Sequence, residues 1–104
     1  MVITLFYITN SDQEKAAHLG RQAIEQKLAG CANIFDINSI FPWESEMQHE
    51  EEVVLVLKTI PDLKESLREF ISRFHHYEVP CIISWDVEVN DSYGRWIKEN
   101  VSSR

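Results

Sequence analysis

The chain has 104 residues, 44% of them apolar, and carries ten Lys and Arg against seventeen Asp and Glu for a formal charge of −7. That length suits one domain, residues 1–104, with no room for a second. The acidic balance opposes phosphate-backbone binding, so no nucleic acid partner is expected, and no stretch approaches the roughly 18 apolar residues of a membrane span.

Residues 2–9, VITLFYIT, are β-branched and aromatic almost throughout and predict a first strand buried on both faces. The same opening segment lacks the basic start of a signal peptide. Two cysteines, Cys31 and Cys81, are too few for a disulfide framework, so a cytoplasmic, reduced protein is expected. Asn10, Ser11 and Asp12 supply N-cap chemistry for a helix whose small apolar positions, Ala16, Ala17, Gly20, Ala23, Ile24 and Leu28, suit close approach to a sheet. Gly30 is its expected stop.

Residues 31–41 alternate in part and predict a long second strand. After Pro42 and Trp43 comes an acidic stretch, residues 44–52, and then VVLVLK, residues 53–58, which predicts a third strand paired with the second as a hairpin. Thr59 is a candidate cap for a second helix with Pro61 in its first turn. Leu63, Leu67, Phe70, Ile71 and Phe74 then give the cleanest amphipathic pattern in the chain. Residues 79–87 predict a fourth strand with Pro80 near its start, and Asn90 and Asp91 can cap a short last helix carrying Tyr93, Trp96 and Ile97.

The order βαββαβ with a C-terminal helix predicts an α+β, ferredoxin-like sandwich: four antiparallel strands with helices on one face and an extended hairpin of the second and third strands. Such a sheet leaves one face bare and its edges unpaired. Subunit association is the simplest way to cover both. RNA-recognition modules share this order, but the charge and the absence of aromatics in EEVVLVLK argue against one.

Four segments, in order, resemble the CutA divalent-cation-tolerance family nearly end to end. They are Tyr7-Ile8-Thr9; Leu28-Ala29-Gly30-Cys31-Ala32-Asn33; Ser39-Ile40-Phe41-Pro42-Trp43-Glu44; and Glu52 to Thr59 followed by His75-His76-Tyr77-Glu78-Val79-Pro80. The resemblance implies a homotrimer whose hairpins wrap neighbours, clefts between subunits, and an association with copper or other divalent ions in metal-ion response, with no obligatory cofactor and no settled enzymatic activity. The chain departs from the family pattern at Ser45, where glycine is usual, at His76 in place of proline, and at Cys81 where glutamate is frequent.

His75, His76 and Cys81 form the one constellation of soft-metal character, although their spacing fits no standard finger motif and structural roles compete. Trp43, Lys58, His75, Tyr77 and Glu78 are the candidates for a ligand cleft between subunits. Lys58 could pair with Glu78 or bind an anion at the rim of the sheet. Trp43, Tyr77, Trp85 and Trp96 could line a cleft or simply pack an interface. Cys31 reads as a small buried hydrophobe, and the acidic run with His49 as a solvated hairpin tip or a weak hard-cation site. His75, Tyr77 and Glu78 are the only compact acid/base set, so the alternative function is a small hydrolase or transferase using His75 and Glu78. A binding protein remains the first reading, because no phosphate-cradling loop, nucleophile elbow or HExxH motif occurs.

Overall fold

The computed structural model describes residues 1–101. β1 (Val2–Asn10) and α1 (Gln13–Glu25) are followed by β2 (Cys31–Trp43) and β3 (Glu46–Thr59). A 3-10 turn (Pro61–Leu63) leads into α2 (Lys64–Phe74), and β4 (Ile82–Glu88) and α3 (Asp91–Glu99) complete the chain. All neighbouring strands are antiparallel in the order β2-β3-β1-β4, which is the expected ferredoxin-like arrangement.

Strand parity decides which residues meet the helices. Phe6 pairs with Leu57 and Ile8 with Leu55, and these side chains pack with Ala16, Leu19 and Ala23 of α1 and Leu67 and Ile71 of α2 as one buried core. Gly20 allows the close approach its helix needs: a Cβ there would stand 3.0 Å from Leu55 Cδ1 and 3.3 Å from the Cβ of Ala32. The opposite parity, including Phe35, Ile83 and Trp85, forms a face that the chain leaves largely uncovered, with these three side chains 45%, 50% and 42% exposed. At one end of that face α3 comes over, and Lys58 Nζ donates to the Tyr93 hydroxyl at 3.2 Å.

The first helix starts as expected, with Asp12 Oδ1 accepting from Lys15 N at 2.8 Å. It ends earlier than Gly30. Lys27 N donates to the Ile24 carbonyl and Leu28 N to the Ala23 carbonyl, a Schellman closure that requires a left-handed residue at position 27. Lys27 takes that conformation at φ 60, while Gly30 instead yields room to Ile97, whose carbonyl would lie 3.2 Å from an added Cβ. Lys27→Gly is therefore expected to raise stability by about 1 kcal/mol, read from the midpoint of a urea melt.

The hairpin exceeds its sequence reading. β3 begins at Glu46 rather than at position 53, and β2 runs on through Pro42 to Trp43, so the acidic stretch is paired strand with only Glu44 and Ser45 at the turn. Both turn residues have positive φ, 51 and 67, the geometry of a two-residue turn whose twist matches that of the strands. Ser45 thus occupies a position that favours glycine. Two further expectations change at helix starts. Thr59 does not cap the second helix: it ends β3, is fully buried, and its Oγ1 makes no hydrogen bond among the described residues. Ile60 stands at the cap position of the 3-10 turn without a side-chain bond. Asn90 likewise precedes α3 but turns its side chain to Ser92 Oγ, at 2.9 Å.

β4 begins at Ile82, three residues later than expected, after a segment whose first residues, His75, His76 and Tyr77, are tied to other parts of the chain. The ladder with β1 stops at the Ile8–Ile82 pair. The next carbonyl of β1, Thr9 O, lies 2.7 Å from His75 Nε2.

Candidate functional site

A groove of about 550 Å³ opens between the hairpin arm and the segment that leads into β4, within the size range of ligand sites. Register builds its floor. Phe41 lies opposite Gln48 and Trp43 opposite Glu46, which puts Phe41, Trp43, Gln48, Glu50 and Glu52 on one face of the two-stranded ribbon. Tyr77, Glu78, Val79 and Cys81 close the other side.

The closing segment is held by its own side chains. His75 Nδ1 accepts from Tyr77 N at 3.0 Å. Nε2 must then carry the ring proton and donate to Thr9 O. The Tyr77 hydroxyl donates to Glu52 Oε2 at 2.6 Å, which bolts the segment to the hairpin. Burial, and then this bond to Glu52, pushes the Tyr77 phenol well above its ordinary range, so it remains a donor. His76 stacks on His75 with ring centroids 4.6 Å apart, and its Nε2 accepts from Ser11 N at 3.3 Å.

Burial is the main cause that lowers His75 below its ordinary value of 6.5, opposed by the Thr9 carbonyl and by Glu52. His76 is lowered by burial first, then by His75 and Lys15, with Asp12 opposing. Both rings are therefore held in the neutral form at neutral pH.

Of the expected cleft residues, Trp43, Tyr77 and Glu78 line the groove, and so does Cys81. His75 stands behind Tyr77 as its tether. Lys58 lies elsewhere: it neither pairs with Glu78 nor reaches the groove, and its Nζ sits 5.2 Å from the centre of the Tyr93 ring. His75, His76 and Cys81 are not brought together as a ligand set within one chain. Both nitrogens of His75 are committed to backbone partners, and among the described residues no three His, Cys, Asp or Glu side chains are placed to share an ion. The same commitment leaves His75 no lone pair with which to act as a base toward Glu78 chemistry.

Phe41 joins the groove without having been singled out in the sequence, and Glu50 and Glu52, expected only as part of a solvated tip or a weak hard-cation site, line it as well. The signal was present in the parity of Phe41 and Trp43, but it needed the turn position to set which glutamates lie across from them.

The family description "CutA1 divalent ion tolerance protein" matches residues 4–100. The chain is 36% identical over 96 residues to the "Divalent-cation tolerance protein CutA" of Pyrococcus horikoshii, covering 91% of this chain and 94% of the relative. It is 35% identical over 98 residues to the protein of that name from Thermotoga maritima, covering 93% and 97%. The crystal structure of the divalent ion tolerance protein CutA1 from Ehrlichia chaffeensis superposes with a TM-score of 0.93 at 34% identity, covering 96% of this chain and 95% of that one.

Proposed function

The chain belongs to the CutA1 divalent ion tolerance family, and on that premise we propose that it works as a homotrimer in metal-ion response, taking copper, another divalent ion or a small ligand at clefts between subunits. The groove carries this reading. The acidic residues Glu50, Glu52 and Glu78 and the Cys81 thiol line it, and no Lys or Arg does so among the described residues, a donor set that attracts cations. A neighbouring subunit could complete the ligand shell that one chain leaves open.

Trimer formation is supported by the bare sheet face around Phe35, Ile83 and Trp85 and by apolar side chains along the hairpin, where Ile40 is 68% and Met47 75% exposed. Burying such surface between copies stabilises a closed assembly. The family and its relatives are named for ion tolerance and not for a reaction, and the engaged nitrogens of His75 give the hydrolase or transferase reading no support. The reading includes no nucleic acid and no membrane partner. Among the described residues no helix is long and apolar enough to cross a membrane. Cys31 and Cys81 form no disulfide, which suits the reducing cytoplasm assigned here.

The test is the light-scattering mass of the reduced protein together with copper and zinc titration by calorimetry. A trimer that takes up metal stoichiometrically, with affinity about tenfold or more weaker in Cys81→Ser/Glu78→Gln, is the expected result. A monomer overturns the reading, and a trimer indifferent to both metals removes its metal part.

A further inference from the structure

We infer that the groove is a binding site for an organic cation, a protonated amine on a hydrocarbon body, in preference to a bare metal ion. This inference rests on the groove being a ligand site, as proposed above, and gives that site a ligand class. Three aromatic side chains, Phe41, Trp43 and Tyr77, share its walls with the acidic residues Glu50, Glu52 and Glu78. A hydrated inorganic ion has no use for aromatic walls. An alkylammonium does: the ring faces attract its charge, and its methylene groups gain from covering apolar surface.

The carboxylates are also spread along the groove and not gathered about one point. Among the described residues they form no cluster able to hold a metal ion, whereas separate carboxylates along a hydrocarbon-lined channel complement a chain of separated ammonium groups. Glu52 is already oriented by the hydrogen bond from the Tyr77 hydroxyl. Glu50 lies two residues before it on the same strand face, alongside Phe41 and Trp43 across the ribbon. In the single chain the groove measures about 550 Å³, far more than one ion needs. Small anions are disfavoured in the same place, since Lys58 is turned away to Tyr93 and no cationic side chain lines the walls among the described residues.

The experiment is calorimetric titration of the full chain with spermidine, with magnesium chloride at matched ionic strength as the inorganic control. Spermidine is expected to bind with saturation and to resist displacement by magnesium. Its affinity is expected to fall about tenfold in Glu50→Gln/Glu78→Gln, by loss of two charge contacts, and again in Trp43→Leu, while Glu99→Gln on α3 leaves it unchanged. Circular dichroism melts confirm that each variant is folded, and Trp43→Phe, which keeps an aromatic face, should restore most of the affinity. Absence of saturable binding, equal displacement by magnesium, or unchanged affinity in the folded Glu50→Gln/Glu78→Gln protein overturns the inference. Copper and zinc are titrated separately on the same samples. Metal uptake without spermidine binding removes this inference and leaves the metal reading standing, and spermidine binding without metal uptake does the reverse.

Discussion

Leu55→Ala is expected to cost about 2–5 kcal/mol of stability, in the range for large-to-small changes at fully buried aliphatic positions. Leu55 is wholly buried on β3, paired with Ile8 of β1 on one side and Ile34 of β2 on the other, and it lies against Gly20 of α1. The helix cannot readily collapse into the vacated space, because its small residues already bring its backbone close to the sheet. A urea melt monitored by far-ultraviolet circular dichroism measures the loss. Met47→Ala near the hairpin tip supplies the contrast: its side chain is 75% exposed in the single chain, so the intrinsic cost should be within about 0.5 kcal/mol. If hairpins wrap neighbouring subunits, Met47→Ala should weaken assembly, seen as a loss of light-scattering mass on dilution to concentrations where the wild type stays assembled.

The contrast reflects what was legible before the fold was known. Leu67 and Ile71 repeat at helical spacing and reach the core, and the β-branched first strand forms at the expected place, because hydrophobic periodicity reports burial directly. The hairpin's true length was not legible. Glu46 to Glu52 carry charges on both parities of a strand, so alternation vanishes there, and the turn between Trp43 and Glu46 uses Glu44 and Ser45 at positive φ with no glycine or asparagine to mark it. Ser45→Gly should accordingly gain about 0.5–1 kcal/mol by removing the Cβ conflict.

For the candidate site, resemblance supplied Trp43, Tyr77 and Glu78, while the partners that orient them depended on register. Tyr77 meets Glu52 across 25 positions of sequence. Lys58 meets Tyr93 across 35, and no local pattern encodes either encounter.

Acid is expected to loosen the segment that closes the groove, and the wiring of His75 gives the reason. In the neutral ring Nδ1 accepts from Tyr77 N while Nε2–H donates to Thr9 O. Protonation puts a hydrogen on Nδ1, which turns an attractive contact into two opposed donors and releases Tyr77, the residue that bridges to Glu52. The groups facing this ring divide in their influence: Glu52 of β3 and the Thr9 carbonyl favour the charged form, while burial outweighs them. His76, stacked on the same ring, is depressed as well, with Lys15 adding to the effect and Asp12 opposing it.

A histidine whose folded pKa lies below its unfolded 6.5 binds fewer protons folded than unfolded. Its contribution is therefore fully present above pH 6.5 and is lost as pH falls through the depressed value. Each proton taken up can lower stability by at most about 1.4 kcal/mol per pH unit, and the partial exposure of both rings keeps the real slope below that limit. Asp12 and Asp86 are both held below their ordinary 3.8, Asp12 chiefly by the Lys15 backbone N–H and Asp86 by its bond from Thr4. Their contributions fade only as pH falls below about that value, which leaves the range between 6.5 and 4 to the histidines.

Urea midpoints measured across that range should fall for the wild type and fall less steeply for His75→Phe, which gives up both hydrogen bonds and so starts from a lower plateau. The protection factor of the Tyr77 amide, which corrects for the intrinsic pH dependence of exchange, should fall over the same interval while amides of β1 and β3 in the core stay protected. Equal slopes in wild type and variant, with no change at Tyr77, would show that the ring does not hold the segment through its neutral form.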